Sequence, residues 1–380
     1  MTDHNKPIIY LDPASICARS ALKKTDIQIT SNINDASLLW LRKGYRNYYQ
    51  KLKAFQYLNH FPGENNFSNK GKLTENLKLY NHLNSSTLKL SDFYQESYCL
   101  YKETEIDTFF SQMPKSDNKQ NLWILKPNNL SKGRGIKILW QINDLKSLLS
   151  SQSNYTLQFD DQKPCQYIAQ RYIKNPLLLN NRKSEIRIYW LIISLEPLIA
   201  LIYPHGTVRL NSVAFQLAYF DNPLIHITNI YQQKKYNKET KNLRLKWSFD
   251  ELDQYLLHNQ ITQQKCFSQE VLLPQIKQVL LYVIQATRHK LNHKTYKGSY
   301  FGLYGADFIL DSHLKPWLTE IQKGPGLSWS DPIKGNIIPP ALHETIQIIS
   351  ELSYKKRLNQ NLNRLNSIQH FQYLINEADH

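Results

Sequence analysis

The stretch Leu122-Trp-Ile-Leu-Lys126-Pro127-Asn-Asn-Leu-Ser131-Lys132-Gly133-Arg134-Gly135-Ile-Lys-Ile138 constrains this chain more than any other. It reads as strand, glycine-rich loop, strand. Trp123, Ile124 and Leu125 form a short apolar run, and Pro127 cannot extend a ladder, so a turn is expected there. Gly133 and Gly135 allow the backbone to approach a ligand and aim N–H groups at it. Lys132 and Arg134 add positive charge to the same turn, beside the strand-end Lys126. A triphosphate needs such a loop, although a basic hairpin turn with no ligand fits the same residues. The spacing is not that of a Walker A loop.

A second informative element is the hairpin Ala306-Asp307-Phe-Ile-Leu-Asp311 followed by Pro316-Trp-Leu-Thr-Glu320-Ile321-Gln322. The turn at 312–314 brings Asp307 and Glu320 together within apolar strands. Two facing carboxylates repel unless something positive lies between them. Their oxygens, with the Gln322 carbonyl and phosphate oxygens, suit Mg²⁺; pairing with a lysine or arginine is the alternative. Lys183, Arg187 and Arg209 form a third element. Arg187 interrupts the most apolar strand, 186–193, and needs a carboxylate, phosphate or substrate anion there, or else a structural ion pair. Together these residues describe a site for ATP with Mg²⁺ and a second anionic substrate. His60, beside the turn Asn59-His60-Phe61-Pro62-Gly63, is a candidate base, but a lone histidine at a turn more often has a structural role.

The 380 residues suffice for two or three domains. Lys+Arg 47 against Asp+Glu 31 leaves +16, which favours an acidic partner: nucleic acid, an anionic membrane or an acidic protein tail. Solvation of a lysine-rich surface explains the same excess. Tyr 24 and Trp 7 suit nucleic acid, yet no RRM, KH, zinc-finger or helix-turn-helix signature occurs. Cys17, Cys99, Cys165 and Cys266 are too scattered for structural zinc and read as free thiols. No run reaches the ~18 apolar residues of a membrane span, and the polar start lacks a signal-peptide core. A soluble, cytoplasmic enzyme with no membrane partner is expected.

Strands are expected at Ile8–Leu11, 37–40, 166–173, 186–193, 197–203, 207–210, 302–310 and 316–321. Helices are expected at 52–58, 73–83, 107–113, 142–149, 272–291, from Pro339 onward and at 368–375. The polar stretch 64–72 reads as a connector, 114–121 as an exposed loop and the basic 232–247 as a mobile surface loop.

These segments, in this order, resemble the tubulin tyrosine ligase-like family, which has an ATP-grasp fold. The likeness spans roughly residues 35–350. Its landmarks are Asn59–Pro62, Trp123–Pro127 with Lys132–Gly135, and Gln170–Ile173 with Asn175-Pro176-Leu177-Leu178. Lys183–Arg187, Gly206–Arg209, His226-Ile-Thr228-Asn229, Gly305–Phe308 and Trp317–Glu320 follow. The resemblance implies a three-lobed α/β ATP-grasp fold, with ATP between the central and C-terminal lobes. The lobes would be 1–70, 71–183 and 184–353, before a basic helical tail at 354–380. It also implies that Lys126 and Lys183 bind ATP phosphates and that backbone groups of Gln170, Arg171, Tyr172 and Ile173 hold the adenine. Glu185 would sit near the ribose and substrate side. Arg187 and Arg209 would steady the reacting carboxylate or acyl-phosphate, Thr228 and Asn229 would line the nucleotide site, and Asp307, Glu320 and Gln322 would hold Mg²⁺.

The chain departs from the family in three places. Glu185 replaces an aspartate and Gln322 an asparagine, each adding one methylene. The family's Arg-Lys-Asp stretch is here Asn69-Lys70-Gly71-Lys72. The implied activity is ligation of an amino acid to a protein, most readily glutamate to the acidic tail of tubulin, in the cytoplasm or on the cytoskeleton. Glycylation, tyrosination, a non-tubulin acceptor, and an inactive relative that binds microtubules or nucleic acid by charge remain open.

Overall fold

The computed structural model describes residues 7–22, 27–112, 121–139, 164–291, 294–329 and 331–379, together with Leu145, Leu149, Thr156 and Leu157. The described residues form a mixed α/β fold with three sheets. The largest is built on the apolar run at 186–193, which lies within the strand Arg182–Leu195. That strand pairs antiparallel with Leu198–Leu210 on one side and Gly302–Leu310 on the other. Pro316–Gln322 continues beyond Gly302–Leu310, and Lys246–Trp247 forms the opposite edge.

Alternation in these strands decides what each face does. Ile186, Ile188, Trp190 and Ile192 pack in one core with the helix Leu273–Thr287, whose Ile276, Val279, Leu280 and Val283 form an apolar stripe. Tyr189, Leu191 and Ile193 pack in another core with the helix Ile338–Arg357, through Leu342, Ile346 and Ile349. The same face continues past Tyr189 to Arg187 and Glu185, where the apolar cover ends and the charged residues gather.

The second sheet has four antiparallel strands, in the order Ser97–Cys99, Tyr167–Arg171, Trp123–Pro127 and Lys137–Leu139. Tyr98, Phe109, Trp123, Leu125, Leu145 and Leu149 form its core. The third sheet is parallel. It holds Ile8–Leu11, Gln28–Thr30, Leu38–Trp40 and Tyr57–Leu58, and it recruits Ser299–Tyr300 from late in the chain.

Several expectations need correction. The helix expected at 52–58 falls earlier, at Arg46–Lys51, and Tyr57–Leu58 is a strand. Phe55 is exposed, so the apolar residues there form no helical stripe, and Tyr57 N–H bonds Ser37 O at 2.9 Å. The expected connector contains the helix Asn65–Ser68, and the next helix starts at Lys70, where the Asn69 side chain caps it by accepting from Lys72 N–H. The expected loop at 232–247 takes in most of the helix Ile230–Tyr236, which Asn229 caps, and ends in the edge strand. The strands expected at 197–203 and 207–210 are one strand. Most of 114–121 and of the helix at 142–149 lies outside the described residues.

The tail is also not helical at 368–375. Gln372–Asn376 is a strand that pairs with Ile199–Ile202, where the edge of the large sheet presents unpaired backbone groups. A buried carboxylate secures the approach: Glu344 Oε1 accepts N–H groups of Gln369, His370 and Phe371 at 2.8–2.9 Å. Arg288 pairs with Glu377 at the far end. Glu344→Ala leaves those three donors without their acceptor. It is expected to lower the unfolding free energy by about 2–3 kcal/mol in denaturant titration and to open residues 359–371 to limited proteolysis. An unchanged midpoint would mean that strand pairing alone secures the tail.

Candidate active site

Register assembles the charged half-face from five strands. Arg187 lies opposite Asp307, and Asp307 opposite Glu320. One row along, Glu185 lies opposite Arg209 and Arg209 opposite Lys246. Gly305 gives Arg187 room, because a Cβ there would stand 3.1 Å from Arg187 Cδ. Arg187 grips Asp307 with two donors: Nη2 donates to Oδ2 at 2.7 Å and Nε donates to Oδ1. Burial opposes the Arg187 charge, but Asp307 outweighs it and holds the guanidinium above its usual pKa. Arg209 Nη2 stands 2.5 Å from Asp307 Oδ1 and 3.3 Å from Glu185 Oε2 without hydrogen-bond alignment. Its Nε has no acceptor among the described residues. Glu185 accepts from Thr228 Oγ1 at 2.7 Å and Thr319 Oγ1 at 2.9 Å. Burial first, then Asp307, push its carboxyl above the usual range.

Two buried lysines face this surface. Lys126, from the second sheet, donates to Gln170 Oε1 at 2.6 Å and to Thr319 O of the hairpin at 3.3 Å. Burial, then Lys70, lower its pKa to about 8. Lys183, from the large sheet, donates to Tyr172 Oη and to His226 O, both at 3.0 Å. Burial lowers its pKa to about 7, with Glu185 working against the shift. Tyr172 Oη lies 2.8 Å from His226 Nδ1, and His226 Nε2 lies 2.9 Å from Tyr219 O. Burial holds His226 at about 4. The neutral ring therefore donates from Nε2 and accepts the tyrosine proton at Nδ1, which leaves a Tyr172 lone pair for Lys183.

The glycine loop lies over the same region. Lys132, Gly133 and Gly135 all have positive φ, 63°, 69° and 68°. A Cβ at Gly133 would lie 2.7 Å from Ile227 Cγ2. Gln232 Nε2 donates to Lys132 O at 2.8 Å, and Lys132 Nζ sits over the Tyr231 ring. The loop thus meets the segment that carries Thr228 and Asn229.

Not every expected residue joins the site. Arg134 is exposed and bonds only within its turn, at Ser131 O. The Arg171 side chain turns to Glu96 and stacks on Trp123. Arg171 and Tyr172 N–H groups already bond Glu96 O and Leu122 O. The Asn229 side chain is spent on its helix cap. His60 is buried in the N-terminal sheet region between Glu64, at 2.9 Å, and Leu41 O, at 3.1 Å, which favours the structural role.

At the hairpin, Glu320 Oε2 lies 3.1 Å from Lys70 Nζ, and Gln322 Nε2 donates to Glu320 Oε1. Burial opposes ionisation of Glu320, but Lys70 and Gln322 prevail and bring its pKa to about 2. Among the described residues, no group of three or more histidine, cysteine, aspartate or glutamate side chains is gathered as a metal site. The donors present, two carboxylates and one carboxamide, are hard oxygen ligands of the kind Mg²⁺ takes. The Gln322 amide here turns its nitrogen to the carboxylates, the orientation a cation would reverse.

The residue types alone did not reveal Lys70 or His226. Lys70 stands in the stretch Asn69–Lys72 that departs from the family pattern, and its role depends on a helix start 250 residues before Glu320 in the chain. The chain signal for His226 is its place in the landmark His226–Asn229.

Comparison with known proteins adds to this geometry. A probable alpha-tubulin polyglutamylase Ttll1 of Tetrahymena thermophila is 29% identical over 318 residues, covering 79% of this chain and 73% of that protein. A probable tubulin polyglutamylase TTLL2 of Homo sapiens is 27% identical over 361 residues, 90% of this chain and 56% of that protein. Tubulin glycylase 3B of Tetrahymena thermophila is 30% identical over 240 residues, 63% of this chain and 19% of that protein. The Tubulin-tyrosine ligase family profile matches residues 49–360, which include every charged residue of the site, and the chain belongs to that family.

Proposed function

We propose that this protein is an ATP- and Mg²⁺-dependent ligase of the ATP-grasp type that adds glutamate to tubulin through an acyl-phosphate. One observation carries the reading: buried Lys126 and Lys183 reach from two different sheets toward one face that bears Asp307, Glu320, Arg187 and Arg209. Two buried cations whose hydrogen-bond acceptors among the described residues are neutral suit a polyanion between the sheets. Two of the relatives above are named as tubulin polyglutamylases and support glutamate and tubulin; the third is named as a glycylase and makes glycine the second candidate. The charge of +16 suits an acidic acceptor tail. Among the described residues no helix is long and apolar enough to cross a membrane, in keeping with work at the cytoskeleton.

In this reading, Lys126 and Lys183 bind phosphate oxygens beneath the glycine loop. Asp307, Glu320 and Gln322 would hold Mg²⁺, which would supply charge neutralisation at the phosphates. Arg187 and Arg209, fixed by Asp307, orient the acceptor carboxylate as it takes the γ-phosphate and stabilise the charge that develops. Glu185 keeps Arg209 and Thr228 in place. The lobes proposed are 1–70, 71–183 and 184–353, with the 354–380 tail pairing onto the large sheet.

Incubation with tubulin, Mg²⁺-ATP and glutamate is expected to add glutamyl mass to tubulin tails, read by mass spectrometry. Glu320→Gln is expected to lower that rate by about a hundredfold or more. ATP binding without any mass gain from glutamate, glycine or tyrosine would refute the tubulin assignment.

The lysines also set a pH dependence. Lys183 and Lys126 have pKa values near 7 and 8 without nucleotide. Phosphate binds their charged forms, so binding above pH 7 must take up protons. ATP affinity is therefore expected to be flat below about pH 6.5 and to fall as pH rises from 7 to 9. Calorimetry in buffers of different ionisation enthalpy would register the uptake. Lys183→Arg is expected to flatten the lower part of the slope, and a pH-independent affinity would count against phosphate at these lysines.

A further inference from the structure

We propose that Asn69 and Asn129 are positioning residues for the nucleotide: their side-chain bridge pins the root of the glycine loop, carried by the second sheet, to a helix start that belongs to the core of the large sheet. This role rests on the ATP reading above. Asn69 Nδ2 donates to Asn129 Oδ1 at 2.5 Å, between residues 60 apart in the chain. The Asn69 amide is already fixed at its other end, where Oδ1 accepts Lys72 N–H at 3.0 Å, so the bridge orders little that was free. Lys70 Nζ donates to Leu130 O at 3.3 Å. Gly71 permits the close approach, because a Cβ there would lie 2.8 Å from Asn128 Nδ2 and 3.0 Å from Asn128 Oδ1. Residues 69–71, in the stretch that departs from the family pattern, thus meet residues 128–130, which begin two positions after Lys126.

The root of the loop needs such a hold. The ladder of Trp123–Pro127 ends at Pro127, and Asn128 N–H adds one further bond, to Gln166 O at 2.9 Å. Beyond it Arg134 bonds back to Ser131 O within the loop, and Lys132, Gly133 and Gly135 take positive φ. Gln232 meets the far side of the loop at Lys132 O. The helix start is well anchored. Leu73 and Leu77 are buried in the core of the large sheet, and Thr74 Oγ1 lies 2.8 Å from Tyr94 Oη. Trp123 and Leu125, in the strand that leads into the loop, pack in the separate core of the second sheet. The Asn69–Asn129 bridge therefore joins two separately packed units. Lys70, on the same helix start, stands 3.1 Å from Glu320, so the helix also sets where the loop stands relative to the hairpin. An exposed amide pair adds little to folding. Its effect is on the place of the loop before ATP arrives, and a loop already in place loses less freedom on binding.

The test is a double-mutant cycle on the full chain, read by calorimetric titration with Mg²⁺-ATP. Asn69→Asp and Asn129→Asp each leave a carboxylate that accepts from the amide opposite, and the first keeps an acceptor for Lys72 N–H. Together they set two carboxylates face to face and break the bridge. Repulsion of the phosphates by each added charge acts independently and multiplies through the cycle, so only the excess in the double variant reports the bridge. That variant is expected to bind ATP about fivefold or more weakly than the product of the two single effects, with the number of sites per chain unchanged. A merely structural contact instead lowers the number of sites per chain and leaves the affinity of the remaining chains at that product. Affinity equal to the product, with or without loss of sites, overturns the proposal. Wild-type chain that binds no Mg²⁺-ATP overturns the ATP reading, and this proposal with it.

Discussion

The buried contact of Asp307 with Arg187 and Arg209 is the constraint on which the site depends. One carboxylate faces two guanidiniums on a face that is otherwise apolar further along the strands. Removing three charges from water is costly, and a well-packed apolar set would often be at least as stable. The arrangement makes sense as stored positive charge. Asp307 fixes both arginines, yet it does not satisfy Arg209 fully, since Arg209 Nε has no acceptor among the described residues. Fixed donors with unspent capacity can stabilise a developing anion without reorganising.

Two of the three departures from the family pattern, Glu185 and Gln322, have a physical reading in this setting. The extra methylene of Glu185 lets one carboxylate span Thr228, Thr319 and Arg209, which arise from three separate segments. The longer Gln322 arm bridges toward both carboxylates, at Glu320 Oε1 and, at 3.4 Å, Asp307 Oδ2. Neither change removes an oxygen donor. In the third departure, the stretch Asn69–Lys72, Lys70 is the residue that meets Glu320.

The parts legible in the sequence were those governed by short-range rules. Apolar runs marked the strand around Arg187 and both arms of the 302–322 hairpin, and turn residues placed Asp307 opposite Glu320. Positive φ at Gly133 and Gly135 matches what the glycines implied. The misread elements were short apolar runs whose state is decided by distant partners. Tyr57–Leu58 became a strand because Leu38–Leu39 lay beside it, and 372–376 because Ile199–Ile202 offered an edge. The Lys183–Tyr172–His226 chain was hidden for the same reason: the sequence singled out its members separately, but their hydrogen bonds form only when segments distant in the chain come together.

Contacts between the sheets already span the gap that the nucleotide would fill. Lys126 reaches Thr319 O, and Gln232 reaches Lys132 O across the glycine loop. Each lysine is held by neutral oxygens: Gln170 and Thr319 for Lys126, Tyr172 and His226 for Lys183. Such acceptors place an ammonium without neutralising it, so a phosphate that displaces them gains a charged hydrogen bond at the loss of a neutral one. Burial raises the stake, because it depresses both lysines and makes an anion the most effective way to restore their charge. The same exchange governs Gln322, whose amide nitrogen rests on carboxylates that a cation would claim. On the proposed function, these internal hydrogen bonds are weak substitutes for the ligands, which keep the geometry while leaving the stronger partners to come from outside.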